Sequence, residues 1–135
     1  DDPFFDRPPP KSLDRDAFDR APVAGLPDGD AAATLAAFTA EAVARAEPHF
    51  PAAPRRWLVC GGGRHNPTLM ANLRERLDAP VAPVDAAGWD GDALEAQAFA
   101  YLAVRALDGL PLSGPTTTGV PEELTGGHLH QAPAV

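Results

Sequence analysis

Three consecutive glycines, Gly61 to Gly63, constrain this chain more than any other feature, because they separate two segments of opposite character. The run from Arg56 to Cys60 is apolar and rich in aromatic and β-branched residues, which predicts a short buried strand. Asn66 and Pro67 then suit the N-cap and the first position of a helix. Apolar residues recur at helical spacing as far as Leu77, which gives a helix with Leu69, Met70, Leu73 and Leu77 on its inner face.

A glycine turn between a strand and a helix has a recognised chemical use. Glycine has no Cβ, so a ligand can approach the backbone, and the first amides of the following helix favour an anion such as a nucleotide phosphate. The spacing fits neither a Walker loop, since no Lys-Ser/Thr pair follows, nor the spaced glycines of a dinucleotide fold. The turn can equally be a tight connection between packed elements, so two readings stay open.

A second extended segment follows the predicted helix. Residues 81–84 read as a short strand in which Pro83 indicates a strand end or a sheet edge. Strand, helix and strand in this order predict a βαβ unit with parallel strands and a right-handed crossover. Ligands of such sheets bind at the carboxyl ends of the strands, where the glycines lie.

Two further helices are predicted on either side of this unit. The first runs from Ala31 to Ala46 after a cap at Asp28 or Asp30, with Leu35, Phe38, Ala42 and Ala46 facing the core. The second runs from Ala93 to Leu107 and ends at Gly109, and most of it is expected to be buried along Leu94, Ala98, Phe99, Leu102, Ala103 and Ala106. Asp92 and Glu95 have the spacing of a capping box.

Composition limits the classes of protein that remain. The chain has 135 residues, enough for one compact domain, and its net charge of −8 argues against binding to nucleic acid or to an acidic membrane surface. A single cysteine, Cys60, excludes an internal disulfide and fits a reducing cytoplasm. No apolar run has the length of a membrane span.

The ends of the chain carry fewer signals. Residues 1–29 are expected to form an extended Pro-rich connector with a few aromatic anchors, and 30–135 to form the folded part. The start at Asp1, inside a Pro- and Asp-rich segment, suggests a fragment. His128 and His130 share the spacing of one strand face, but no third metal ligand accompanies them, so no metal site is assigned. Cys60 and His65 are not assigned as nucleophile and base, because Cys60 is expected to be buried and nothing nearby would orient His65.

Several segments resemble one family in the same order along the chain. The stretch 59–70 is similar to the adenosine-side motif of the anhydro-N-acetylmuramic acid kinases, which are sugar kinases of the actin/hexokinase-like ATPase superfamily. The segment 92–103 resembles that family's Glu-Ala-x-Ala-Phe-Ala signature, and Pro-Pro-Lys-Ser at 9–12 and the Thr-Gly step at 118–119 also match. Leu13 and Asp14 replace the family's Thr-Gly after Ser12, and the roles of Lys11 and Ser12 stay open.

This resemblance implies a fold, an activity and a division of the site. The fold would be α/β, a partial ribonuclease H-like (actin-like ATPase) domain with a βαβ unit and flanking helices, as the C-terminal part of the kinase. The activity would be opening of 1,6-anhydro-N-acetylmuramic acid by water and its phosphorylation from ATP with Mg²⁺, in cytoplasmic peptidoglycan recycling, by an enzyme that can be a homodimer. Nucleotide would contact Gly61, Gly62, Gly63, His65 and Asn66, and sugar would contact Glu95 unless that residue only caps its helix. The catalytic base and the phosphate loop would lie upstream of Asp1, so no catalytic or metal-binding residue is expected within this chain.

Two other readings compete with this one. The chain can be a non-catalytic nucleotide-binding module or remnant with the same fold, which would leave the βαβ core intact. A different actin-like sugar kinase would keep the glycine turn but should lose the Pro-Pro-Lys-Ser and Glu-Ala-x-Ala-Phe-Ala segments, and both are present.

Overall fold

A computed structural model describes residues 2–131 and shows a mixed α/β chain. Its helices are α1 (Asp28–Ala44), α2 (Pro67–Arg76) and α3 (Leu94–Leu107), and its strands are β1 (Trp57–Val59) and β2 (Val81–Pro83). Short 3₁₀ turns precede α1, at Arg15–Ala17 and Ala21–Val23, and lie between the later elements, at Glu47–His49, Gly62–His65 and Val84–Ala87. The chain divides into two compact units, one formed by Asp1–Pro8 with Leu13–Leu94 and the other by Pro9–Ser12 with Glu95–Val135.

The predicted βαβ unit is confirmed in the first unit. β1 and β2 form a two-stranded parallel sheet in which Trp57 pairs with Val81, Leu58 with Ala82 and Val59 with Pro83. The strand is shorter than the predicted 56–60, because the backbone leaves the sheet after Val59 to enter the glycine turn. The glycine turn therefore lies at the carboxyl end of β1.

The core of the first unit lies between α1, α2 and β2. Its buried apolar residues are Ala40, Met70, Leu73, Leu77 and Val81, and Val43, Ala44, Trp57, Val59 and Leu69 pack against them. The predicted inner face of α2 is thus confirmed, with Leu69 only half-buried. This packing anchors the helix that follows the glycine turn.

The predicted face and cap of α1 are wrong. Ala40, Val43 and Ala44 turn toward α2, whereas Leu35 and Phe38 remain 49% and 42% exposed. Pro27 takes the N-cap position without a side-chain hydrogen bond, and α1 already includes Asp28 and Asp30 in its first turn, where the helix dipole favours a negative charge. Small residues at the contact let the two helices approach closely, and this outweighs the larger apolar residues of the periodic pattern.

Aromatic side chains attach the N-terminal segment to α1, as expected of anchors. Phe5 stacks on Phe18 with ring centroids 6.0 Å apart, and Phe18 meets the edge of Phe38 at 5.1 Å. Contacts of this geometry stabilise the fold modestly beyond the contribution from the area that the rings bury.

The second unit contains α3 and a tail with little regular structure. Gly109 ends α3 as predicted, with φ of +65° and with the Leu110 amide donating to the Arg105 carbonyl over 2.9 Å. The expected burial of α3 is wrong, because no residue of this helix is buried. Further along, Ser113 and Leu124 form an isolated antiparallel bridge. Among residues 2–131, no helix combines the length and the hydropathy that crossing a bilayer requires.

Leu73→Ala tests the core of the first unit. Leu73 is 4% exposed, so truncation should leave a cavity and lower the free energy of unfolding by about 2–5 kcal/mol, as measured by urea denaturation of the chain. Glu75→Ala, at an exposed position of the same helix, is the control and should change stability by less than about 0.5 kcal/mol. Equal effects of the two substitutions would contradict the described core.

Candidate functional site

The glycine turn leaves β1 with an unusual backbone. Gly61 has φ of +71° and ψ of −178°, a conformation that side chains disfavour, and Gly62 begins the 3₁₀ turn that ends at His65. A β-carbon built on Gly61 or Gly62 would meet no heavy atom within 4 Å, whereas one on Gly63 would lie 3.2 Å from Leu69 Cδ2. The surface beside Gly61 and Gly62 is therefore open, and Gly63 is needed for packing on α2.

The amides of this turn fall into two groups. The Gly61 amide donates to the Gly91 carbonyl over 3.1 Å, and the Arg64 amide donates to the Gly61 carbonyl over 3.2 Å. The Gly62 and Gly63 amides have no acceptor within the part of the chain that the structure describes. Two unpaired backbone donors, one on exposed Gly62 and one on half-buried Gly63, thus lie at the carboxyl end of β1.

Asn66 caps α2 as predicted, and in doing so it alters the expected role of the helix N-terminus. Its side-chain oxygen accepts from the Thr68 amide at 3.0 Å and from the Leu69 amide at 3.1 Å, and Pro67 has no amide hydrogen. The Met70 amide already donates to the Asn66 carbonyl. The expectation of unpaired N–H groups at this helix end is therefore wrong, and the donors open to an anion are those of the glycine turn.

Arg64 lies at the centre of the site, and its side chain is only 4% exposed. Its Nε donates to Asp85 Oδ2 over 2.9 Å, and its Nη1 donates to Asp92 Oδ1 over 2.7 Å and to the Gly61 carbonyl over 3.1 Å. We call these contacts the Arg64 clamp. It joins the glycine turn to the 85–92 loop, and it holds the Gly61 backbone in its left-handed conformation.

Gly91 makes room for the clamp. A β-carbon on Gly91 would lie 2.4 Å from Arg64 Nε and 2.7 Å from Arg64 Cζ, so any other residue would push the guanidinium away from its carboxylates. The Gly91 carbonyl also accepts the Gly61 amide. Gly91 is thus part of the site although no sequence pattern indicated it.

The clamp changes the ionisation of its members. The hydrogen bond from Arg64 lowers the pKa of Asp92 to about 2, against a partly opposing effect of burial. The same guanidinium lowers the pKa of Asp85, and the two carboxylates raise the pKa of Arg64. At neutral pH the cluster therefore holds one cation and two anions, and its outer oxygens remain hydrated because Asp85 and Asp92 are 50% and 69% exposed.

His65 and Cys60 flank the turn on its outer side. His65 is exposed, and its Nε2 lies 3.6 Å from Asp92 Oδ1, so Asp92 faces both Arg64 and His65. Cys60 is exposed, and the expectation that it is buried is wrong because the strand ends one residue earlier than predicted. No group of three metal-ligating side chains occurs among residues 2–131, and His128 and His130 are exposed within that range.

The structure brings five of the six predicted site residues together. Gly61, Gly62, Gly63, His65 and Asn66 form the turn and the cap just described, and they all belong to the first unit. Glu95 belongs to the second unit, where it is exposed in the first turn of α3. The capping box predicted for Glu95 is wrong, since the Asp92 amide donates to Asp90 Oδ1 at 3.0 Å instead.

Comparison with known proteins identifies the family. The family model described as anhydro-N-acetylmuramic acid kinase matches residues 1–132. The chain belongs to the anhydro-N-acetylmuramic acid kinase family. Among its relatives named anhydro-N-acetylmuramic acid kinase, the protein of Rhodospirillum rubrum is 63% identical over 98% of this chain and 35% of its own length.

Other family members are similar to this chain to about the same degree in sequence. The kinases of Acidiphilium cryptum and Cereibacter sphaeroides are each 61% identical, over 96% and 100% of this chain and over 36% and 37% of their own lengths. The chain therefore spans about a third of the length of the kinases it matches. The expectation that this third is the C-terminal part is not supported by these matches.

Asp92→Asn tests the clamp through its pH dependence. The folded-state pKa of Asp92 is about 2, below its ordinary value of 3.8, so the pair stabilises the fold above about pH 4 and this contribution is lost as the pH falls toward 2. The difference in free energy of unfolding between wild type and Asp92→Asn should be largest near pH 7 and should shrink between pH 4 and pH 2, in urea titrations at a series of pH values.

Asp78→Asn provides the matched control for that experiment. Asp78 is exposed and forms no ion pair within the described range, so its substitution should give a small difference that does not vary over the same pH window. A wild-type to Asp92→Asn difference that is constant with pH would contradict the clamp.

Proposed function

We propose that this chain forms part of an anhydro-N-acetylmuramic acid kinase. This enzyme would use ATP to open 1,6-anhydro-N-acetylmuramic acid with a water molecule and to phosphorylate the product to N-acetylmuramic acid 6-phosphate, in the recycling of peptidoglycan. Family membership over residues 1–132 and the names of relatives that are about 60% identical support the proposal. The actin-like ATPase fold, with residues 1–29 as a connector and 30–135 as a lobe, belongs to the same proposal, and so does a homodimeric full-length enzyme.

The glycine turn is the part of this chain that we assign to the nucleotide. The observation that carries the assignment is an exposed, Cβ-free backbone with two unpaired amides at the carboxyl end of a parallel strand. A flat base or a ribose can lie against Gly61 and Gly62 without meeting a side chain. His65 would border this surface, and Asn66 would act indirectly, by fixing the start of α2.

The clamp makes this turn ready for a ligand before the ligand arrives. Arg64 binds the Gly61 carbonyl and is itself held by two carboxylates, so the turn need not be ordered on binding. Avoiding that ordering cost raises affinity without any added contact. Arg64 and Asp92 are thus positioning residues in this proposal, whereas the backbone of Gly62 contacts the nucleotide.

Glu95 is the candidate contact to the sugar. Its carboxylate is exposed and is not engaged in the capping box that would otherwise explain it. A carboxylate accepts hydrogen bonds from sugar hydroxyls, and such charge-assisted bonds are stronger than neutral ones. The resemblance of 92–103 to the family signature supports this assignment.

The remaining chemistry is assigned to the part of the enzyme outside this chain. Phosphoryl transfer depends on positioned phosphates, a metal ion and a base that activates the attacking water. The described residues contain no set of three metal-ligating side chains, and no step is assigned to a metal bound here. Catalytic base, phosphate loop and metal ligands would come from the other two thirds of the kinase.

A non-catalytic nucleotide-binding module is the second candidate. The observation that favours it is the completeness of the turn and clamp within the first unit, which also contains all the buried core residues. Such a module would bind ATP in the same way and would lack turnover in any context.

Gly62→Val tests the nucleotide assignment. A β-carbon at Gly62 meets no heavy atom within 4 Å and the position has no positive φ, so the fold should be retained while the ligand surface is blocked. Isothermal titration of ATP should show at least about a tenfold loss of affinity, equivalent to about 1.4 kcal/mol. Gly29→Val, at an open glycine on α1, is the control and should bind as wild type does. Unchanged ATP affinity in a folded Gly62→Val protein would overturn the assignment.

Turnover measurements test whether the catalytic parts lie outside this chain. The 135-residue chain alone should bind ATP at most weakly and should show no phosphorylation of the anhydro-sugar above background, because half of a cleft neither positions the phosphates nor activates water. A coupled assay for ADP release with both substrates would measure this. Sustained turnover by the chain alone would show that the catalytic parts are inside it.

A further inference from the structure

One face of α3 is apolar along its whole length and is nevertheless exposed. Its residues follow the i, i+3, i+4, i+7, i+8, i+11 pattern of a helix that packs on a partner. We call this face the α3 stripe: Ala96, Phe99, Ala100, Ala103, Val104 and Leu107. Phe99, Val104 and Leu107 are 65%, 57% and 64% exposed, and all three alanines are exposed as well.

The stripe contains no charged or polar residue, which separates it from an ordinary solvent-facing surface. Gln97 borders the stripe beside Val104, and Arg105 lies on the opposite side of the helix, where it donates to the Pro111 carbonyl at 2.7 Å. An exposed helix side normally carries the polar residues, because apolar area left in water is unfavourable. The sequence of α3 is therefore that of a buried helix.

The second unit does not supply a cover for this helix. Within its described residues, 9–12 and 95–131, no apolar side chain is buried, so it has no core of its own. A unit of this size without a core, disulfide or metal is not expected to be stable by itself. A covering surface must come from another part of the protein or from another molecule.

A second copy of this chain is a poor cover. α3 has 14 residues, so it is about 21 Å long, and two such stripes packed together would bury roughly 400 Å² in total. Stable interfaces between proteins bury about 1,200 Å² or more. The stripe is too small to hold a dimer, but its area suits one helix packed within a larger fold.

We propose that the α3 stripe is an internal docking surface, and that its occupant is an apolar face of the kinase segment that lies outside this chain. The relatives are almost three times as long as this chain, at 35% and 36% coverage, so a segment large enough to provide that face exists in the family. The side chains of Ala96, Ala100 and Ala103 are small, so a sheet or helix backbone can approach this part of the stripe closely. The inference rests on the proposal that the chain is part of the kinase, but it does not depend on where nucleotide binds.

Protection of an introduced cysteine tests this inference. Ala100→Cys places a small thiol in the stripe, and Ala98→Cys, an exposed position on the opposite side of α3, is the matched control, both with Cys60→Ser. Maleimide labelling, followed at each introduced position by peptide mass, would be compared between the 135-residue chain and the full-length kinase. Ala100→Cys should react at least about tenfold more slowly in the full-length kinase, whereas Ala98→Cys should react at similar rates in both.

Other outcomes have definite meanings. Equal labelling of Ala100→Cys in both proteins would overturn the inference. Labelling of Ala100→Cys that slows as the concentration of the 135-residue chain rises, with a dimer in size-exclusion chromatography, would identify a second copy as the occupant and would also overturn it. Loss of ATP binding in either cysteine variant would bear on the proposed function and would leave the protection result intact.

Discussion

The organisation of the first unit depends on the hydrogen bonds that the Arg64 guanidinium makes. A buried cation is costly unless its donors are satisfied, and here Nε donates to Asp85 while Nη1 donates to Asp92 and to the Gly61 carbonyl. The carboxylates remain partly hydrated, so the desolvation cost falls mainly on one partner. This arrangement explains how the glycine turn and the 85–92 loop, which are distant in sequence, are held together.

The division of tasks around the turn follows from hydrogen-bond accounting. Asn66 uses the free amides at the start of α2, and Pro67 removes one donor, so the helix end is closed to an anion. The Gly61 amide donates to the Gly91 carbonyl, and the Gly61 carbonyl accepts from Arg64. What remains is the unpaired amides of exposed Gly62 and half-buried Gly63. In our proposal this backbone contacts a flat polar ligand rather than enclosing a multiply charged phosphate chain.

Sequence patterns predicted the elements whose determinants are local. The Asn66 cap, the Gly109 helix end and the parallel pairing of β1 with β2 all depend on residues close in sequence or on a simple chain order. The clamp could not be predicted in this way, because Arg64 finds its carboxylates 21 and 28 residues further along. The one available signal was the pair of aspartates flanking Gly88 and Gly91 in a loop that returns to the carboxyl end of the sheet. The assignment of residues to nucleotide and sugar stays a prediction.

The spacing of apolar residues indicates which side of a helix is suited to burial, but it does not show whether a partner surface is present. On α1 this produced the wrong face, since contact with α2 is made by Ala40, Val43 and Ala44 rather than by Leu35 and Phe38. On α3 it indicated a buried helix, and the apolar pattern is real although the residues are exposed. The same physical rule accounts for both results, because a helix buries apolar area only against a surface that fits it. In the first unit α2 and the sheet provide such a surface, which is why the glycine turn has a core beneath it, while the apolar face of α3 has a matching pattern and no such surface within its own unit.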